Sequence, residues 1–269
     1  VGSRMQQDIP KQFLTVNDCP VIIYTMQAFQ NHPEIDVIAA VCLEGWENVL
    51  KAYARQFNIT KLKHIVKGGD NRQSSSRIGL YELEKYYAPG DIVLIQDGNR
   101  PLTSAKIISD CIAVTQKYNC ACAAIPCADV MMKTEDGVIS AEQYPRDKLK
   151  VGQTPRGFFL GKVCDVHRRA LKAGITDSIG SHTLMMEMGE PVYLYPGAEK
   201  NFKITTVEDI EIFKALLNSE KPKYVGFTTI CHYLSTRGTN MNQRIMLTKK
   251  LLKTSLTNML QTQNIYRIS

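Results

Sequence analysis

Short apolar runs alternate along this chain with longer segments of helical spacing, and few residues separate them. Residues 20–31 read as a helix with Pro20 at its first turn, where a missing N–H is harmless. Residues 36–43 are almost wholly apolar, as in a strand buried on both faces. Residues 44–57 carry Trp46, Leu50, Tyr53 and Phe57 at helical spacing. A strand over 63–66, a helix over 73–87, a strand over 91–96, a helix over 103–118 and a strand over 120–126 continue the series. Strands that alternate with helices predict an α/β, Rossmann-like domain with a mostly parallel sheet. Ligands in such sheets bind beyond the carboxyl ends of the strands. Gly68-Gly69 and Asp97 fall at two such ends.

The rhythm breaks at residues 130–143. Two short β-prone stretches flank Asp136-Gly137, a pairing that predicts a hairpin projecting as an arm. Helices over 161–173 and 183–189, a strand over 192–195 and a helix over 207–217 capped by Thr206 follow. Composition matters for the remainder. The chain holds 33 Lys and Arg against 26 Asp and Glu, and residues 219–269 contribute eight of the bases and one acid. The body, residues 1–218, is therefore neutral, and the basic excess belongs to a C-terminal extension over 219–269. That distribution predicts no nucleic-acid partner for the body. Met241, Ile245, Leu252, Leu256 and Leu260 share one helical face in the extension. Such a helix docks on the body or a partner subunit, or rests on a membrane surface or an acidic partner; a fused domain is a further reading. No apolar run reaches the roughly 18 residues a membrane span needs. The eight cysteines form no C-x-x-C pair, which predicts buried thiols in a cytoplasmic protein and no zinc site.

Gly2-Ser3-Arg4-Met5 and Pro10-Lys11-Gln12-Phe13 place a glycine and two cations close to one short loop. A glycine turn lets backbone N–H groups face a phosphate, and the cations oppose its charge. Four more segments lie beyond it. They are Gly68-Gly69-Asp70-Asn71-Arg72-Gln73-Ser74-Ser75, Gln96-Asp97-Gly98-Asn99-Arg100-Pro101, Gln153-Thr154-Pro155-Arg156-Gly157-Phe158, and the stretch from Asn201 to Asp209. In order and spacing the five resemble the cytidylyltransferases acting on 2-C-methyl-D-erythritol 4-phosphate and ribitol 5-phosphate. The resemblance covers residues 1 to about 218. The family's first motif is a strand followed by a glycine-rich loop ending in Arg-Met, of which this chain keeps the part from Gly2. Val1 is not an initiator Met, so upstream residues, a central strand among them, are expected to be missing, with weak CTP binding and little activity until they are restored.

The resemblance implies a Mg²⁺-dependent transfer of CMP from CTP to a small polyol phosphate, giving a CDP-polyol and pyrophosphate. Arg4, Lys11 and Lys203 would stabilise the charge that builds as a phosphate attacks the α-phosphorus. One cation at about 4 Å and an effective dielectric near 20 offsets about 4 kcal/mol of that repulsion. No general base is needed, because the attacking oxygen is already anionic. Asp97 would hold Mg²⁺, a hard ion that prefers oxygen ligands. Gly2 belongs to the triphosphate loop. Gly68, Gly69, Asp70, Arg72 and Ser75 match the cytosine and ribose contacts, although a plain turn before a helix has the same look. Thr154 and Arg146 match substrate contacts, with Arg146 carried on the arm into a partner subunit's site; this implies a homodimer through residues 130–146. Arg100 reads as structural.

Three departures bear on the substrate. Gln96 stands where the family has His, Val130 where it often has Thr, and Gly180 within a stretch that is acidic in the family. They put methylerythritol phosphate in doubt and leave the reaction class intact. Methylerythritol phosphate would mean isoprenoid synthesis, and ribitol or another polyol phosphate a cell-wall or capsule precursor. His182 is a candidate polyol contact or a structural histidine. The same departures motivate an alternative, a non-catalytic paralogue that binds nucleotide or a partner. A metal-dependent glycosyltransferase would need a second Asp at position 99, which is Asn.

Overall fold

The computed structural model describes residues 9–220. Gly2, Arg4 and the helix expected over 241–260 lie outside the described residues. The chain divides into two compact units, Val1–Lys214 and Ala215–Ser269.

A 3-10 turn, Lys11–Phe13, leads into a minimal hairpin of β1 (Thr15–Val16) and β2 (Cys19–Pro20). Its two-residue turn is Asn17-Asp18, with φ of 50° and 61°. Both angles lie in the left-handed region that such turns require and that Asn and Asp tolerate. Helix α1 (Val21–Gln30) starts directly after Pro20 and buries Val21, Ile23, Met26 and Phe29. Strand β3 (Ile38–Cys42) pairs in parallel with β4 (Leu62–Lys67), with α2 (Glu47–Gln56) between them in sequence. Ile23, Met26, Ala40, Leu50 and Ile59 form the core there, and Phe13 stacks on Trp46 with ring centroids 4.6 Å apart.

After α3 (Arg72–Leu83) come β5 (Ile92–Ile95), α4 (Ala105–Tyr118) and β6 (Cys120–Pro126). Ser104 caps α4 by accepting the Ile107 N–H, and Asn119 ends it at φ 68°. The arm comprises β7 (Met131–Lys133) and β8 (Glu142–Tyr144), which pair antiparallel, followed by a 3-10 turn, Arg146–Lys148. Strand β9 (Lys150–Phe159), α5 (Leu160–Lys172), α6 (Ser181–Glu187), β10 (Tyr193–Pro196) and α7 (Val207–Glu220) complete the described residues.

The second sheet has the order β10-β6-β9-β5. β10 runs parallel to β6, while β9 runs antiparallel to both of its neighbours. Three of its four strands therefore point one way, and the protein is α/β as its alternation implies, with a mixed sheet. β9 is the strand that periodicity does not reveal. Its middle reads Gly-Gln-Thr-Pro-Arg-Gly, poor in β-branched and aromatic residues. It sits inside the sheet because its backbone pairs on both sides, and because Gly157 admits α4. A Cβ at Gly157 would lie 1.9 Å from the Thr115 hydroxyl. Below it, Phe158, Leu160, Val163, Leu184 and Met185 build the larger core cluster. The described cysteines are all buried and unpaired, as their spacing predicts. No helix among the described residues is long and apolar enough to cross a membrane.

Candidate active site

Asp97 lies two residues beyond the end of β5, and its own loop fixes the backbone. Its N–H donates to the Thr154 hydroxyl on β9 at 3.1 Å. Gly98 O accepts from Thr25 of α1 at 3.0 Å, which ties this loop to the helix that follows the Lys11 turn. The carboxylate is held by two cations. Lys203 Nζ is 3.0 Å from Oδ1, and Arg100 Nε is 3.2 Å from Oδ2. Burial by itself would raise the carboxyl pKa; the charges of Lys203, Arg100 and Arg156 outweigh it and hold the group below its usual range. Asp97 is thus an anion at neutral pH.

Lys203 comes from the loop between β10 and α7, far away in sequence. Asn99 brings it in: the Ile204 N–H donates to Asn99 O at 2.9 Å, and the Asn99 amide donates back to Ile204 O. Asn201 locks the same loop and is wholly buried. Its amide donates to Thr154 O at 2.8 Å, its Oδ1 accepts from the Thr103 hydroxyl at 2.9 Å, and its backbone O accepts from Arg100 Nη1 at 2.6 Å. Gln153 grips the neighbouring backbone, donating to Ala198 O at 2.9 Å and accepting from Ala198 N at 3.2 Å. A buried polar network of this kind is fully committed to one geometry. Just beyond, Thr206 and Asp209 exchange hydrogen bonds across the first turn of α7, the cap that the sequence predicts.

The second strand-end motif folds onto the start of α3. The Gly69 N–H donates to the Ser75 hydroxyl at 3.1 Å, and that hydroxyl donates to Gly69 O at 3.3 Å. A Cβ at Gly69 would lie 2.4 Å from Ser74 Oγ, so only glycine lets the turn close on the helix. Gly68 donates its N–H to Cys42 O at 2.8 Å, continuing the β3–β4 pairing. Asn71 caps α3, accepting the Ser74 N–H at 2.8 Å. Asp70 is exposed beside this turn. Arg72 donates to Ile179 O at 3.1 Å, and Gln73 both donates to Ile175 O and accepts the Ser178 N–H. The turn therefore carries the 175–180 loop with it.

The remaining predicted positions fall as follows. Thr154 is buried, with its hydroxyl engaged by Asp97 and its carbonyl by Asn201, so in this arrangement it positions Asp97. Arg146 lies at the base of the arm and donates to Ala128 O at 3.5 Å, outside the Asp97 cluster. Lys11 heads the 3-10 turn packed beside α1. A cleft of about 560 Å³ is lined by α2 and β4 residues, including Lys51, Arg55 and Lys63, and by none of the residues around Asp97.

The Asp97 carboxylate is the group through which a divalent ion would be held. Among the described residues no cluster of three His, Cys, Asp or Glu side chains could cage a metal. A lone carboxylate at a strand end suits a hard divalent ion that draws its other ligands from phosphates and water.

The family profile described as IspD, 2-C-methyl-D-erythritol 4-phosphate cytidylyltransferase, matches residues 1–219. The chain belongs to that family. It is a cytidylyltransferase, one of the nucleotidyltransferases. A ribitol-5-phosphate cytidylyltransferase of Lacticaseibacillus paracasei is 34% identical over 223 residues, spanning 82% of this chain and 95% of that protein. A 2-C-methyl-D-erythritol 4-phosphate cytidylyltransferase of Clostridium acetobutylicum is 37% identical over 219 residues, spanning 80% and 93%. Among solved structures, the 4-diphosphocytidyl-2C-methyl-D-erythritol synthase of Anaerococcus prevotii superposes with a TM-score of 0.68 at 25% identity, covering 77% of this chain and 93% of that one.

In this cytidylyltransferase two contributors escape a sequence reading. Asn201 and Arg156 both lie within quoted motifs, yet nothing in their spacing reveals a role. Asn201 is legible only once β9, the Arg100 loop and the 201–205 loop are seen to meet. Arg156 is close enough to lower the Asp97 carboxyl pKa, although the two are 59 positions apart.

Proposed function

We propose that the chain transfers CMP from CTP to a small polyol phosphate of the ribitol 5-phosphate or 2-C-methyl-D-erythritol 4-phosphate type. The observation that carries this reading is the Asp97 carboxylate held between Lys203 and Arg100 beyond the end of β5. A phosphate oxygen of the polyol attacks the α-phosphorus, a new P–O bond forms, and the bond to the pyrophosphate oxygen breaks with both electrons leaving on pyrophosphate. The attacker is already an anion, so no side chain has to remove a proton. Lys203, with Lys11 and Arg4, supplies the positive charge that the crowded phosphoryl oxygens need. Gly2 contributes to the triphosphate site. Asp97 would hold Mg²⁺, which would supply further positive charge to the reacting phosphates. Lys203 then shares or leaves Asp97 and turns to the phosphates. Gly68, Gly69, Asp70, Arg72 and Ser75 form the pyrimidine and ribose side of the site, at the turn that closes on the start of α3.

The arm completes the assembly in this reading. Residues 129–147 are exposed almost throughout, with Val130, Met132, Val138 and Ile139 each more than 60% accessible. Apolar side chains so placed suit a second subunit. An exchanged arm would bring Arg146 to the partner's polyol phosphate in a cytoplasmic homodimer. The product would serve isoprenoid synthesis if the polyol is methylerythritol, and cell-wall or capsule polymers if it is ribitol.

The test is pyrophosphate release from CTP and Mg²⁺ with ribitol 5-phosphate, 2-C-methyl-D-erythritol 4-phosphate and glycerol 3-phosphate in parallel. Turnover of one well above the others identifies the acceptor. Binding of CTP with no release on any of them would overturn the reading and favour a non-catalytic nucleotide-binding protein.

A further inference from the structure

Within this cytidylyltransferase reading, on which the inference rests, two half-buried side chains with buried, unpartnered nitrogens still lack a contact to substrate. Arg156 pairs through its backbone with Ile95 of β5 and with Cys122 of β6, so it sits in the middle of the sheet beside the strand that ends at Asp97. Its Nε is buried and has no hydrogen-bond partner. The Nδ1 of His182, at the start of α6, is likewise buried and unpartnered. The two residues meet at Gly180. A Cβ added there would lie 2.8 Å from Arg156 Nη1 and 3.2 Å from His182 Nδ1. Gly180 has φ of 179°, an extended angle open to any residue, so its lack of a side chain serves the space and not the backbone.

The charge balance is uneven. Lys203, Arg100 and Arg156 all act on the single Asp97 carboxylate. Among the described residues no other carboxylate lies within ion-pair distance of any of these three cations. The Cys122 thiol accepts from Arg156, and burial keeps that thiol neutral. A buried guanidinium nitrogen without an acceptor is costly, and the cost is removed when a ligand supplies an anionic oxygen. A neutral imidazole nitrogen beside it suits a hydroxyl, since it can donate or accept according to tautomer.

We propose that Arg156 and His182 form a further acceptor-substrate subsite beside Asp97, Arg156 taking a phosphate oxygen of the polyol phosphate and His182 one of its hydroxyls. The site so formed lies within one subunit and adds to whatever the arm contributes. It places acceptor selection on the β9–α6 junction, at the stretch where Gly180 stands.

Steady-state kinetics of Arg156→Gln and Arg156→Lys test this with CTP and whichever polyol phosphate the wild type turns over. Arg156→Gln should raise KM for the polyol phosphate about tenfold to a hundredfold, with KM for CTP within about threefold of wild type. Arg156→Lys should recover part of the loss, and the urea midpoint should stay near that of wild type. His182→Asn should raise the same KM by about threefold to tenfold. Should Arg156→Gln fail to fold, Gly180→Ala replaces it, because the added methyl displaces the guanidinium without altering the backbone. An unchanged polyol-phosphate KM in the folded variants, or an equal rise in both KM values, overturns the subsite. If the wild type turns over no polyol phosphate, the functional reading has failed independently. Calorimetry with inorganic phosphate then decides the subsite alone: binding about tenfold weaker in Arg156→Gln supports it, and equal binding overturns it.

Discussion

The Asp97 site and the arm are built on opposite principles. Around Asp97, groups from β9, the 97–103 loop and the 201–205 loop meet in a largely buried hydrogen-bonded network. The arm is a two-stranded hairpin with three residues in each strand, held internally by pairing and by turns around Asp136. Its apolar side chains face outward. An isolated two-stranded hairpin is marginal in water. The contrast teaches that the Asp97 charges are fixed by contacts within the chain, while the arm leaves its apolar side chains exposed.

The sharpest way to break this comparison is Lys203→Ala. It should lower kcat by about a hundredfold to a thousandfold, as the loss of one preorganised charge does. The folded state should survive, since Lys203 is partly exposed. A loss below about threefold in folded protein would remove Lys203 from the chemistry.

Asn201→Ala attacks the other half of the site. It strands buried partners on Thr154 and Thr103, and should cost about 3 kcal/mol in urea denaturation with activity falling alongside. If stability is unchanged, the network is not what fixes the Lys203 loop.

On the arm the pattern should invert. Arg146→Ala is expected to leave the urea midpoint within about 0.5 kcal/mol of wild type while raising the polyol-phosphate KM about tenfold. Mixing it with Lys203→Ala should restore turnover, because a heterodimer with exchanged arms contains one site with both residues intact. A mixture no more active than its parts argues against exchange.

The smallest effect concerns pH. Burial, together with the nearby Arg77 charge, lowers the His167 pKa to about 4, and burial with Arg156 lowers that of His182 to about 4. The unfolded chain binds protons at these histidines near pH 6.5, before the folded one does. Stability should therefore be full above pH 6.5 or so and decline as pH falls towards 4. His167→Gln should flatten that decline in urea midpoints measured across the window; a slope unchanged by the substitution would show that carboxylates alone set it.

How much of this was legible in the chain follows from what each residue needs. Helices α1 to α5 and strands β3 to β6 declare themselves through local periodicity, because each buries one face or both against neighbours. The Thr206 cap and the Asn17-Asp18 turn differ in kind. The cap is a readable local pattern, while the turn is too short to stand out before its angles are known. Strand β9 was present as a motif and invisible as a strand. Its glycines, proline and buried polar residues contradict strand propensity, and only pairing on both sides and the grip of Asn201 make it one. Thr154 was expected at the substrate, and the structure puts its hydroxyl on the Asp97 backbone.

The sequence by itself determined the α/β class and set a glycine pair and a carboxylate at the ends of β4 and β5. These rest on local pattern and on residue chemistry, which a linear chain displays. Only the tertiary structure decided that Lys203 and Arg100 divide the two oxygens of Asp97, that Asn201 ties β9 and two loops together, and that Arg156 and His182 converge at Gly180. Those facts depend on contacts between residues dozens to a hundred positions apart, and their geometry exists only after the sheet has brought its strand ends together.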